Sequence, residues 1–164
     1  MAKPKTKLYI AYGSNLNKDQ MEHRCPTAEP ISSSVIKDHQ LMFRGGARGA
    51  VATVESSEGA EVPVGIWKIR KDDEEKLDIY EGYPHLYRKE TLNIELNGEN
   101  VEAMAYVMND GREMGMPSRG YLRTIAEGYQ DFGLDINALQ EALDYSHENL
   151  GQVNTQDNDF NMKW

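Results

Sequence analysis

Hydrophobic positions recur along the chain with two different periods, and the switches between them outline its elements. Runs rich in β-branched and aromatic residues predict strands at Leu8 to Tyr12, Ser34 to Phe43, Ala50 to Glu55, Val62 to Ile69, Arg88 to Leu96 and Val101 to Met108. The last two are separated by Asn97-Gly98-Glu99-Asn100, and Asn-Gly between two β-type runs predicts a hairpin. Helical stretches carry start signals instead. Asn17 can cap a helix from Lys18, with Gln20 three residues on, and Asp72 can cap one from Asp73, with Glu75 in the same relation. Ser118 precedes Tyr121, Leu122, Ile125, Ala126 and Tyr129, which share one helix face. Asp135 opens a further stretch with Ile136, Leu139, Ala142 and Leu143 on one side. Strands dominate and helices are inserted at the first turn, the middle and the end, which favours an α+β fold over a doubly wound α/β sheet. An antiparallel sheet curled toward a small barrel would leave a cavity mouth for function.

The length of 164 residues suits one domain, taken as 1–150, because the apolar periodicity stops at about Gly151. Residues 151–164 read as a loose polar tail that Phe160, Met162 or Trp164 can tack down. No apolar run approaches the ~20 residues of a membrane span, and the N-terminal run is neither a span nor a signal peptide. A formal charge of -9 argues against nucleic acid, whose phosphates call for clustered Lys and Arg. The local exceptions are Lys3, Lys5 and Lys7, and the stretch from Arg44 to Gly49. Cys25 is the only cysteine, so neither an internal disulfide nor a cysteine zinc cage can form from one chain, and the cytoplasm is the default compartment.

Two places in the chain are suited to chemistry. Tyr12-Gly13-Ser14-Asn15-Leu16 is a tight turn between a strand and a capped helix. Gly13 permits close backbone approach, and consecutive N–H groups leading into a helix start form an anion-binding concavity. An ordinary connection in which Ser14 and Asn15 bond their own backbone fits the same residues. A carboxylate suits the turn better than a phosphate, since neither G-x-x-x-x-G-K-[ST] nor G-x-G-x-x-G follows a strand. The second place is Leu77-Asp78-Ile79-Tyr80-Glu81-Gly82. Glu81 follows Leu77 by one turn, and Gly82 stands where a terminating glycine would, so the carboxylate falls at the negative end of the helix dipole. Acidic groups are disfavoured there, and partial burial would raise the pKa into the range a general acid/base uses. A solvent-facing Glu81 is the plain alternative. The acids from Asp72 to Glu75 read as solvated charges that complement the dipole. His23, His39, His85 and His147 lack metal-ligand spacing, so no metal is expected, and neither Ser14 nor Cys25 stands in a nucleophile motif.

Together, Tyr12-Gly13-Ser14-Asn15-Leu16, Val64-Gly65-Ile66-Trp67, Leu77-Asp78-Ile79-Tyr80-Glu81-Gly82 with Tyr87 and Arg88, and Pro117-Ser118-Arg119-Gly120-Tyr121-Leu122 resemble the γ-glutamylcyclotransferase-like (AIG2-like) family from about Tyr9 to Leu143. The resemblance implies a mixed, mostly antiparallel small β-barrel flanked by helices, and a cofactor-free reaction. The α-amine of a γ-glutamyl group attacks its own γ-amide carbonyl, giving 5-oxoproline and the released amine or amino acid. It further implies that Tyr9, Tyr12, Gly13, Ser14 and Asn15 cradle the γ-glutamyl group, that Glu81 is the general base and then acid, and that Tyr121 and Tyr87 supply hydroxyls. Arg44, Arg48 or Arg88 would then be candidates to pair a leaving-group carboxylate. The alternative is a non-catalytic module on the same fold that binds a small carboxylate or a protein. The expected partner is a small γ-glutamyl compound, with no nucleic acid and no membrane, and the sequence does not decide between monomer and homodimer.

Overall fold

The run from Tyr9 to Ala11 occupies the centre of a five-stranded sheet in the computed structural model, which describes residues 4–46 and 49–154. Lys3, Arg48 and the tail residues Phe160, Met162 and Trp164 lie outside the described residues. In chain order the elements are β1 (Thr6–Ala11), a 3-10 turn (Ser14–Leu16), α1 (Lys18–Arg24), β2 (Glu29–Arg44), β3 (Val51–Arg70), α2 (Lys71–Glu81), β4 (Tyr87–Leu96), β5 (Glu99–Met108), α3 (Arg119–Phe132) and α4 (Asn137–Glu148). The sheet order is β2-β3-β1-β5-β4, with β1 and β5 parallel and the other pairs antiparallel. The α+β expectation holds. The sheet is curled enough for Ser34 Oγ on one edge strand to donate to the Glu95 carbonyl on the other at 2.7 Å. No β2–β4 ladder occurs among the described residues, so side chains rather than a closed ladder bring the edges together.

The two runs expected at Ala50 to Glu55 and Val62 to Ile69 form one strand, β3. The polar residues between them lie at a bulge against β2, where Asp38 and Gly59 take positive φ and Asp38 Oδ1 accepts the Gly59 N–H at 2.9 Å. Because the bulge is largely exposed, its residues carry no apolar alternation, and the strand looked interrupted. The expected hairpin is present, closed by Asn97 and Gly98, both at positive φ, as a two-residue turn.

Three of the helix starts follow the capping chemistry. Asn17 Oδ1 accepts the Gln20 N–H at 3.0 Å, Ser118 Oγ accepts the Tyr121 N–H at 3.2 Å, and Asp135 Oδ1 accepts the Asn137 N–H at 2.9 Å. Ile136 does not join Leu139 and Ala142 inside but stands half-exposed. α2 begins earlier than expected, with Asp73 rather than Asp72 bonding the helix start: its carboxylate accepts the Arg70 N–H at 2.8 Å and the Thr27 hydroxyl at 2.7 Å. Asp73 is fully buried, and Glu74 pairs with Lys7 and Lys89, so these two acids are structural rather than solvated.

The tail is also less loose than expected at its start. Met114 N–H donates to the Gln152 carbonyl at 2.8 Å, Gly151 N–H to Met114 at 2.9 Å and Gly111 N–H to Asn154 at 3.0 Å. Arg44 holds this segment. It is buried to 1% exposure, pairs with Glu55, and donates to the Arg112 carbonyl and to both the carbonyl and the side chain of Gln152. No helix among the described residues is long and apolar enough to cross a membrane.

Candidate active site

β1 ends at Ala11 in the middle of the sheet, and the chain turns through Gly13 over the end of that strand. A side chain at Gly13 would stand 3.2 Å from Ala52 Cβ and 3.4 Å from the Tyr121 hydroxyl, so glycine lets β3 and α3 close in on the turn. The turn is clamped from two sides. Trp67 on β3 donates its indole N–H to the Asn15 carbonyl at 2.9 Å, and Asn17 Nδ2 donates to the Thr124 carbonyl of α3 at 3.0 Å. At the start of the Ser14–Leu16 turn, the backbone N–H groups of Ser14 and Asn15 have no acceptor within the turn itself. They are the orphan donors at the start of the helical turn.

Beside the turn lies a cavity of about 230 Å³, room for a small metabolite. Tyr9, Tyr12, Gly13, Ser14, Asn15, Glu81, Tyr87 and Tyr121 all line it, so the proposed general base and the eight-residue set it belongs to come to one place. Val51, Ala52, Tyr80, Leu86 and Tyr106 complete the wall.

Glu81 is the last residue of α2, followed by Gly82 in the left-handed conformation. Burial raises its pKa to about 7, against the opposing pull of the Arg24 cation and of the Asn15 amide. Asn15 Nδ2 donates to Glu81 Oε1 at 3.2 Å and to the Tyr9 hydroxyl at 2.8 Å, and Asn15 Oδ1 accepts from Arg24 Nη1 at 2.5 Å.

The phenols divide by where their protons go. Tyr12 donates to the Tyr106 carbonyl at 2.5 Å and Tyr87 to the Ala52 carbonyl at 2.6 Å. Tyr121 instead accepts the Ala52 N–H at 2.9 Å, which leaves its own O–H to donate elsewhere. Burial above all holds Tyr9, Tyr12, Tyr87 and Tyr121 well above the ordinary phenol value, so they stay protonated.

Of the candidate arginines, Arg44 and Arg88 do not line this cavity. Arg44 is spent on Glu55 and the C-terminal segment, which also removes it as a nucleic-acid contact. Arg88 pairs with Glu90 and the Met108 carbonyl, and Arg48 lies outside the described residues. Three residues of the site were not anticipated. Tyr80 meets Ser14 Oγ through its hydroxyl at 3.0 Å, Tyr106 contributes a wall and a carbonyl, and Arg24 reaches in from α1. Tyr80, as the neighbour of Glu81, was findable; Arg24 carries no local signal. Among the described residues no group of three or more His, Cys, Asp or Glu gathers where it could hold a metal ion.

A curled mixed sheet with one partly buried carboxylate facing a glycine turn defines a small-molecule site with acid/base capacity. The family described as Gamma-glutamyl cyclotransferase, AIG2-like, matches residues 9–129. The chain is 30% identical to gamma-glutamylcyclotransferase of Homo sapiens over 145 residues, 83% of this chain and 76% of the relative, and 30% identical to that of Bos taurus over 138 residues, 79% and 73%. A solved human protein called uncharacterized superposes with a TM-score of 0.75 at 27% identity, covering 84% of this chain and 86% of that one. A solved gamma-glutamyl cyclotransferase gives 0.76 at 24% identity over 98% and 100%, a likeness of fold. The chain belongs to the γ-glutamyl cyclotransferase, AIG2-like family.

Proposed function

We propose that this protein is a γ-glutamyl cyclotransferase that closes a γ-glutamyl amide into 5-oxoproline, with Glu81 as general acid and base. The observation that carries the reading is the position of Glu81: it has a pKa near 7 and shares the Asn15 amide at a cavity bounded by the Gly13 turn. Near neutrality such a carboxylate is present in both protonation states, as a group that must take a proton and return it requires.

The Ser14 and Asn15 N–H groups and the Tyr121 O–H hold the anionic and carbonyl oxygens of the γ-glutamyl group. Ionised Glu81 removes a proton from the α-ammonium. The freed amine attacks the γ-carbonyl carbon, forming the ring C–N bond and a tetrahedral oxyanion. Collapse of that intermediate breaks the original amide C–N bond as the proton held by Glu81 passes to the leaving nitrogen, and the ring nitrogen then gives its second proton to the re-ionised Glu81, which returns it to the released amine or to solvent. One molecule supplies both nucleophile and electrophile, so the cavity's contribution is to hold the folded-back conformer and to relay the protons that leave the attacking nitrogen.

The test is to incubate the protein with a panel of γ-glutamyl dipeptides and γ-glutamyl amines and to measure 5-oxoproline. Turnover of at least one substrate is expected, falling by roughly 10²–10⁴ in Glu81→Gln. Absence of 5-oxoproline across the panel, or undiminished turnover in Glu81→Gln, would reject the mechanism in favour of a non-catalytic binding module.

A further inference from the structure

Arg24 ends α1 and touches both halves of the site. Its Nη1 donates to Asn15 Oδ1 at 2.5 Å, its Nη2 to Gln20 Oε1 at 3.2 Å, and its guanidinium lies over the Tyr80 ring, 3.5 Å from the centroid. The Gly13 turn and the end of α2 are therefore joined through one side chain from a third element.

That contact decides which way Asn15 faces. A side-chain amide has nearly the same shape after a half-turn, but its two ends differ chemically. Arginine only donates, so the end facing Arg24 must be the oxygen, and the NH₂ is turned toward Glu81 and Tyr9. The reversed amide would set oxygen against a carboxylate and N–H against a cation. We infer that Arg24 is a positioning residue for Glu81: it fixes the Asn15 amide with its N–H toward the carboxylate and holds the Tyr80 ring beside it. This rests on the assignment of Glu81 as the general base.

Several groups bear on Glu81. Arg24 on α1 is the cation that favours its charged form, and burial opposes that form. Tyr9 on β1, Tyr12 beyond its end, Tyr87 on β4 and Tyr121 on α3 also interact with it, as neutral phenols near pH 7. Removing the Arg24 charge therefore moves the Glu81 titration upward.

The experiment compares wild type with Arg24→Gln and Arg24→Lys, with Glu81→Gln as control. Two quantities are read: the acid limb of kcat/KM against pH, and the titration of the Glu81 side-chain carboxyl by ¹³C NMR, assigned by its absence in Glu81→Gln. In Arg24→Gln both midpoints rise by on the order of one pH unit, and kcat falls by roughly tenfold or more even at a pH where Glu81 is ionised. Arg24→Lys keeps the charge and loses the planar fork, so its midpoints stay near wild type while kcat falls several-fold. Unmoved midpoints in Arg24→Gln overturn the inference, and inactivity of Glu81→Gln in the same series leaves the function standing. Full activity of Glu81→Gln overturns the function instead, and the NMR midpoints still judge Arg24. If Arg24→Gln does not fold by circular dichroism, wild-type kcat in Arg24→Lys overturns the inference.

Discussion

Keeping Glu81 partly buried beside phenols works against the fold, and the sign of that effect can be measured. Its pKa is about 7 in the folded chain against a reference of 4.5, so the folded state binds its proton more tightly than the unfolded state does. The associated destabilisation is absent below about pH 4.5, grows as pH rises toward 7, and is constant above that. Glu81→Gln should therefore be more stable than wild type by on the order of 1–3 kcal/mol at pH 8 and indistinguishable from it near pH 4. Urea unfolding at pH 4, 6 and 8 checks this; a gain equal at all three would mean that charge is not its source. The carboxylate was legible in the sequence because it breaks a local rule, an acid in the last helical turn ahead of Gly82. Arg24 was not legible, because a cation in the last turn of a short helix obeys the rule and its importance arises only when α1 is packed beside α2.

Elements bring these residues together by close contact of backbones. α3 lies so near the turn that a Cβ at Gly128 would stand 2.5 Å from Leu16 Cβ and 2.7 Å from the Asn17 nitrogen. Backbone cannot give way there as a flexible side chain can. Gly128→Ala is expected to cost about 3 kcal/mol and to lower kcat at temperatures where the fold remains intact, since the displaced residues lead directly into the site. Thermal unfolding together with steady-state kinetics separates the two effects; a fully active variant would show that the turn tolerates displacement. At this scale the readable features were those with one chemical solution, such as Asn17 with Gln20, Ser118 with Tyr121, and Asn97-Gly98. The start of α2 was misplaced because Asp72 is the residue there with ordinary capping chemistry, whereas the helix begins after Arg70 and is closed by Asp73 reaching back to the Arg70 N–H while packed against Thr27. β3 was split because an exposed bulge has no apolar period to read.

Across the whole molecule, Arg44 does the work of a buried clasp. With Glu55, Arg112 and Gln152 as partners it joins the first long hairpin to the segment that follows α4. Arg44→Met should lower stability by roughly 3 kcal/mol and leave KM for a γ-glutamyl substrate unchanged, as titration with denaturant and steady-state assays would register. A raised KM without lost stability would return Arg44 to the role of substrate partner that its sequence neighbourhood suggested. A charge pattern in one dimension does not distinguish an arginine facing solvent from one turned inward, and here the inward one is the rule-breaker. The order of strands carries a last consequence, for how the molecule is made. β1 lies mid-sheet yet precedes both flanking strands in the chain, so its pairings with Gly65 to Arg70 and with Met104 close only after long stretches have been synthesised. The Gly13 turn is thus made before the strands that hold it in shape. A nascent chain that already carries Glu81 still lacks the helix bearing Tyr121, and it has the acid without a place to use it.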